Sequence, residues 1–187
     1  MKYSLYLPVA MLLGALLFLG TACGGDDDEE PMVPEENTAI PVTIVRLVVS
    51  GGTQGSQTFS YRQVPPPEVG VVLPPEVDDI VLEANTSYSY RIIAQSETGN
   101  GTRNVNDDIE EDGEDYLFTF DVLAADLAIT PTDEDQFGAP IGLSGTLQTG
   151  DVSSGVLMFK LFFETNKNSP GGSGEQIISG DFRVELN

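Results

Sequence analysis

From residue 40 onward, hydrophobic positions recur at every second residue through short runs, and glycine, proline or acidic clusters separate the runs. A period of two is the signature of a strand, whose successive side chains point to opposite faces. Residues 41–50 (PVTIVRLVVS) are the densest case. Both of their alternating sets are largely apolar, which suits a central strand, and β-branched residues pack well on a pleated surface. Gly51-Gly52-Thr53-Gln54-Gly55 reads as a turn, and 57–62 (QTFSYR) as the returning hairpin strand with Phe59 and Tyr61 on one face. Residues 64–75 hold five prolines. Proline has no N–H for a ladder, so this segment is expected at an edge or crossover, with at most a short strand over 71–73.

The alternation resumes over 79–84 and 87–95, two strands joined through Asn85-Thr86, with Tyr88, Tyr90, Ile92 and Ala94 on one face. Residues 96–115 break the pattern with three glycines and seven acids between Asp107 and Asp115, leaving room for one helical turn over 107–112. Strand patterns return over 116–123, 127–130, 143–148, 155–164 and 177–186, interrupted by an acidic loop at 132–140 and a flexible hairpin loop at 166–174. About eight or nine short strands with frequent Gly and Pro turns predict an all-β fold, an antiparallel Ig-like β-sandwich, with a barrel as the alternative.

The first residues follow a different pattern. Met1-Lys2 precedes an apolar run whose dense part is 9–19, and the run ends in Gly20-Thr21-Ala22 before the sole cysteine, Cys23. A spanning helix needs about 20 apolar residues, so this run reads as a removable signal peptide. Leu19, Gly20, Thr21, Ala22 and Cys23 resemble a bacterial lipobox, with Gly20 where a Leu is usual. By that analogy the Cys23 thiol takes a diacylglycerol and its freed amine a palmitate-type chain. Several acyl chains, each methylene contributing about 0.8 kcal/mol, hold a protein firmly on a bilayer. Asp26, Asp27, Asp28, Glu29 and Glu30 follow. The expected organisation is a signal peptide over 1–22, a lipidated Cys23 with an acidic tether over 23–39, and one domain over 40–187. The plainer reading is a secreted chain with a stray cysteine and a solvated charge run.

Charge and composition narrow the function. Thirty acids against eight Lys and Arg give a formal charge of −22. Such a surface repels nucleic acid and anionic lipid and attracts cations or basic partners. There is no His and no Trp. Without His there is no Ser-His-Asp or Cys-His catalysis and no His-ligated zinc or haem.

Carboxylates remain. Asp133, Glu134 and Asp135 precede Gly138, in partial register with an EF-hand loop counted from Asp133. Phe137 occupies the fifth place and Ser144 the place of the bidentate Glu. Asp133 and Asp135 are therefore the calcium candidates, against a solvated turn. The acids of 107–115 suit calcium or a basic partner, against a mobile charged loop. Paired carboxylates serve glycoside hydrolysis, but this surplus of acids singles out no pair. Tyr88 and Tyr90 read as core rather than as sugar platforms. No other cofactor is implied, and a non-enzyme is the expectation.

The acids after Cys23 resemble the export signal of Bacteroidota-type surface lipoproteins. The phrases Leu82-Glu83-Ala84-Asn85-Thr86-Ser87-Tyr88, Asp108-Ile109-Glu110-Glu111 before Tyr116-Leu117-Phe118, Thr132-Asp133-Glu134-Asp135 before Pro140-Ile141-Gly142-Leu143, and Thr149-Gly150 before Ser154-Gly155-Val156-Leu157 resemble a group of small lipoproteins encoded near TonB-dependent receptors. In that group the acidic loop reads Asp-Gly where this chain has Gln136-Phe137. Some members carry the label of a type 1 periplasmic binding fold, a two-lobed α/β structure that this all-β pattern contradicts. The resemblance implies an outer-membrane lipid anchor facing the cell surface. It also implies a non-catalytic binding or accessory module with an outer-membrane receptor as partner. A structural or adhesive surface subunit is the alternative, and a carboxylate hydrolase the third.

Overall fold

The strand with two apolar faces, β1 (Ile44–Gly51), lies between β2 (Gly55–Arg62) and β5 (Ser87–Thr98), antiparallel to both. The computed structural model describes residues 38–65, 71–167 and 173–187. Besides these strands it contains β3 (Glu76–Val77), β4 (Ile80–Leu82), β6 (Gly101–Asn104), α1 (Asn106–Glu111), β7 (Leu117–Leu123), β8 (Leu127–Pro131), β9 (Ser144–Thr149), β10 (Ser153–Phe163) and β11 (Glu175–Leu186). They form two sheets. The large sheet runs β3-β2-β1-β5-β9-β8, with β6 also on β5, and the small sheet runs β4-β11-β10-β7. Both sheets end in open edges, so the architecture is an all-β sandwich and the barrel alternative falls.

The inner faces supply the core. Val45 sits opposite Tyr61 and Ala94, Leu47 opposite Phe59 and Ile92, and Val49 opposite Tyr90. All of these are buried, as the alternation through β5 predicted. From the small sheet come Leu157, Phe159, Leu161, Phe182, Val184, Ile80 and Phe118. Fully burying one such side chain stabilises by about 1.5–3 kcal/mol. The Tyr61 and Phe159 rings meet edge to face at 5.2 Å. Gly180 makes that possible, because a Cβ there would collide with both rings. Gly145 on β9 likewise clears the space that Tyr90 fills.

The structure departs from the sequence expectation in four places. Among the described residues there are eleven strands, not eight or nine. Residues 71–73 are not a strand, since the edge pairing falls two prolines later at β3, where Glu76 and Val77 meet Arg62 and Tyr61. The segment expected to break the strand pattern from 96 contains the end of β5 and all of β6, a hairpin closed at Thr98 and Gly101. Finally, one pairing is parallel, β4 on β11. Asn85-Thr86 carries the chain from the small sheet into the large one, so β4 reaches β11 rather than folding back on β5. Asn85 adopts a positive φ of 52° at this switch, which Asn tolerates better than most residues.

Asn106 repairs the outer edge of β5. There β9 pairs as far as Arg91 and β6 begins at Gln95. Between them, Asn106 Oδ1 accepts from the Ala94 N–H at 2.8 Å and its Nδ2 donates to the Ile92 carbonyl at 2.8 Å. The buried amide thus does the work of a missing strand residue and pins α1 to the sheet.

Candidate functional site

The end of the sandwich that holds α1 gathers most of the acids singled out in the sequence. The expected helical turn is present as α1, one residue earlier than predicted, with Asp107 and Asp108 in its first turn and Ile109 buried beneath. Carboxylates at a helix start are stabilised by the exposed N–H groups. Arg103 Nη1 meets Asp108 at 2.7 Å, but both side chains are exposed, and a pair in solvent contributes little. The described chain also enters the sandwich here: Ile40 N–H donates to Tyr116 Oη at 3.0 Å. Burial pushes the Tyr116 phenol above its ordinary pKa, with Asp112, Asp115 and Asp108 adding to the shift and the Ile40 bond opposing it.

The structure brings the two calcium candidates, Asp133 and Asp135, into one loop and then occupies them. Asp133 Oδ1 accepts from the Gly142 N–H at 3.0 Å and its Oδ2 from the Leu143 N–H at 2.7 Å. Asp135 Oδ1 accepts from the Phe137 and Ala139 N–H groups, both at 2.9 Å. Its Oδ2 pairs with Lys167 Nζ at 2.8 Å, and the ammonium also donates to the Gly113 carbonyl at 2.6 Å. The Asp135 and Lys167 side chains are only 2% and 8% exposed. Burial raises the Asp135 pKa, but the Lys167 bond and the two N–H donors outweigh it, and the net shift is downward.

Backbone donors and one ammonium therefore satisfy this loop without an ion. Calcium prefers six to eight oxygens, and any ion here would compete with five existing donors. Among the described residues no three acids or other ligand side chains converge as a metal set. Of the remaining acids of 107–115, Glu114 accepts from Gln136 Nε2 at 2.9 Å, tying that loop to the same brace.

Beside the brace lies an open groove of about 610 Å³. Arg91, Glu110, Glu134 and Ser144 line it over Ile141 and Leu143. Tyr90 sits behind it, its hydroxyl facing the Gly142 carbonyl at 3.5 Å. Burial, and secondarily Asp133, hold that phenol well above its ordinary pKa. Tyr88 and Tyr90 are core, as the sequence suggested. Cys23 and the acids Asp26, Asp27, Asp28, Glu29 and Glu30 lie outside the described residues.

Acids at the opposite end act in the same way. Glu83 accepts from the Thr53 N–H and hydroxyl, and Asp126 accepts from the Asp151 N–H at 2.8 Å. Sequence reasoning missed Lys167 and Arg91. The first was legible as a lone cation in an otherwise uncharged stretch, but its partner was not. Compared with protein-family models, with curated proteins and with solved structures, the chain matches none.

Proposed function

We propose that the chain is a non-catalytic binding or accessory module, held at the outer membrane through an acylated Cys23 and working beside a TonB-dependent transporter. The observation that carries the non-catalytic part is the bonding of Asp133 and Asp135. The best-placed carboxylates of the loop end hold backbone N–H groups and Lys167. They shape a rigid surface instead of standing ready as an acid and a base, which need free positions at a substrate. The anchor rests on the leader, the lone cysteine and the acidic run.

Two measurements test this reading on the native protein. Mass spectrometry of the envelope-derived amino terminus is expected to find Cys23 acylated, and an unmodified Cys23 or a retained leader contradicts the anchor. Cross-linking in intact membranes is expected to recover an outer-membrane receptor, and recovery of no envelope protein contradicts the accessory role.

A structural or adhesive subunit is the second reading. Leu123 and Val152, 61% and 74% exposed, favour it, because apolar side chains left in water promote association. Light scattering that finds oligomers at micromolar concentration would support this reading over the first.

A further inference from the structure

The outer face of the large sheet has no role in the reading above, and its charge distribution sets it apart. Outward positions along β1 are Ile44, Arg46, Val48 and Ser50, and along β5 they run from Ser87 to Glu97. Apart from Glu97, which Arg62 holds, these positions and those of β2, β8 and β9 carry no Asp or Glu, in a chain that has 30 acids. Hydroxyls dominate instead: Ser50 lies opposite Ser56 and Ser89, Ser89 opposite Thr146, and Thr146 opposite Thr130.

Two arginines stand in this field. Arg46 is opposite Ile93, and Val48 is opposite Arg91. The four form a square with guanidinium groups on one diagonal and half-buried Val48 and Ile93 on the other. Diagonal neighbours in a sheet sit about 7–8 Å apart, and like charges side by side on one face destabilise it. The next arginine on the same face, Arg62, is taken by Glu97 at 2.8 Å and Glu76 at 3.1 Å. Arg46 and Arg91 are exposed and have no hydrogen bond or ion pair with any described residue. Glu110 and Glu134 line the groove that Arg91 borders, yet neither pairs with it. Among the described residues the fold thus leaves these two cations unpaired and close together, while Arg62, Arg103 and Lys167 are held by carboxylates.

We propose that this face binds an acidic polysaccharide, a sugar polymer bearing uronate carboxylates. The proposal deepens the binding-module reading and rests on it. An arginine fork takes a carboxylate through two parallel hydrogen bonds. The surrounding Ser and Thr hydroxyls both donate and accept, as sugar hydroxyls do. Val48 and Ile93 give the C–H face of a ring an apolar contact between the two cations. An open sheet face suits a polymer lying across strands, whereas a small molecule needs enclosure. The net charge of −22 repels a polyanion everywhere else and so confines it to this patch.

The test uses the full-length chain in detergent and measures affinity for polygalacturonate, neutral dextran and polyglutamate by calorimetry. Polygalacturonate is expected to bind at least tenfold more tightly than either of the others. The double variant Arg46→Gln/Arg91→Gln is expected to lose at least tenfold in affinity at an unchanged melting temperature. Arg183→Gln, on the small sheet, is expected to change affinity less than twofold. No binding of polygalacturonate, equal binding of dextran, tighter binding of polyglutamate, or an unaffected double variant each overturns the proposal. Cys23 acylation and receptor cross-linking are read on separate samples, so this ligand can fall while the anchored module stands.

Discussion

The acidic end and the outer face of the large sheet handle charge in opposite ways. At the acidic end the carboxylates are many and several are committed: Asp133 to two backbone N–H groups, Asp135 to two more and Lys167, and Glu114 to Gln136. On the sheet face the charges are few, and the two in the middle have no partner among the described residues. Counting acids along the chain directs attention to the first region. Following the hydrogen bonds directs it to the second. A charge that already holds a buried partner is part of the scaffold, and a charge left free on a rigid face is available to something else.

The comparison breaks most severely at Asn106. Asn106→Leu leaves the Ala94 N–H and the Ile92 carbonyl without partners in a buried setting. At about 1–3 kcal/mol for each of the two orphaned groups, urea unfolding is expected to show a loss of roughly 2–6 kcal/mol. A loss under about 0.5 kcal/mol, the range of an ordinary surface change, would mean that the amide does not stand in for a strand.

Lys167→Met comes next. It leaves Asp135 charged and shielded beside Gly113, at an expected cost of about 1–3 kcal/mol. The same pair governs the acid limit. The Asp135 pKa is lowered from 3.8 in the folded chain, so the folded state binds its proton less readily than the unfolded state. Its contribution is complete above pH 3.8 and is lost as pH falls through the lower folded value. In Lys167→Met this part of the acid dependence is expected to shrink, because the main lowering cause is gone.

Tyrosines set the alkaline limit with the opposite sign. Tyr61, Tyr90 and Tyr116 all have pKa values raised above 10.0, chiefly by burial. The unfolded chain therefore ionises first, and stability present below pH 10.0 falls as pH rises beyond it. Replacing Tyr90 with Phe is expected to flatten that decline, as followed by thermal melts from pH 9 to 11.

The smallest effect is expected on the sheet face. The double variant Arg46→Gln/Arg91→Gln touches no described partner, so its stability should stay within about 0.5 kcal/mol of the parent and rise rather than fall. A clear loss would show that these arginines hold the fold together.

Much of the fold was legible because period two and burial coincide. Val45, Leu47 and Val49, and Tyr88, Tyr90, Ile92 and Ala94, all point inward as their alternation predicts. What stayed hidden depends on long-range pairing. The two residues of β3 and the four of β6 are too short to show a period. The Asn85-Thr86 junction read correctly as a turn, but whether a turn folds a strand back or sends it to the other sheet depends on what β11 offers β4. The acidic loop resembled a calcium loop because both need carboxylates to hold a tight backbone. Only its contacts show N–H groups and Lys167 as the partners. Arg46 and Arg91 become neighbours solely through the β1–β5 register, which no local pattern encodes.

The most direct test follows backbone amide resonances of the full-length chain during separate titrations with polygalacturonate and with calcium chloride. The account predicts that the polymer shifts Arg46, Val48, Ser89, Arg91 and Ser144 on the sheet face and leaves residues 132–142 in place, and that calcium moves neither set. Calcium shifts centred on Asp133 and Asp135, with a silent sheet face under the polymer, would contradict it.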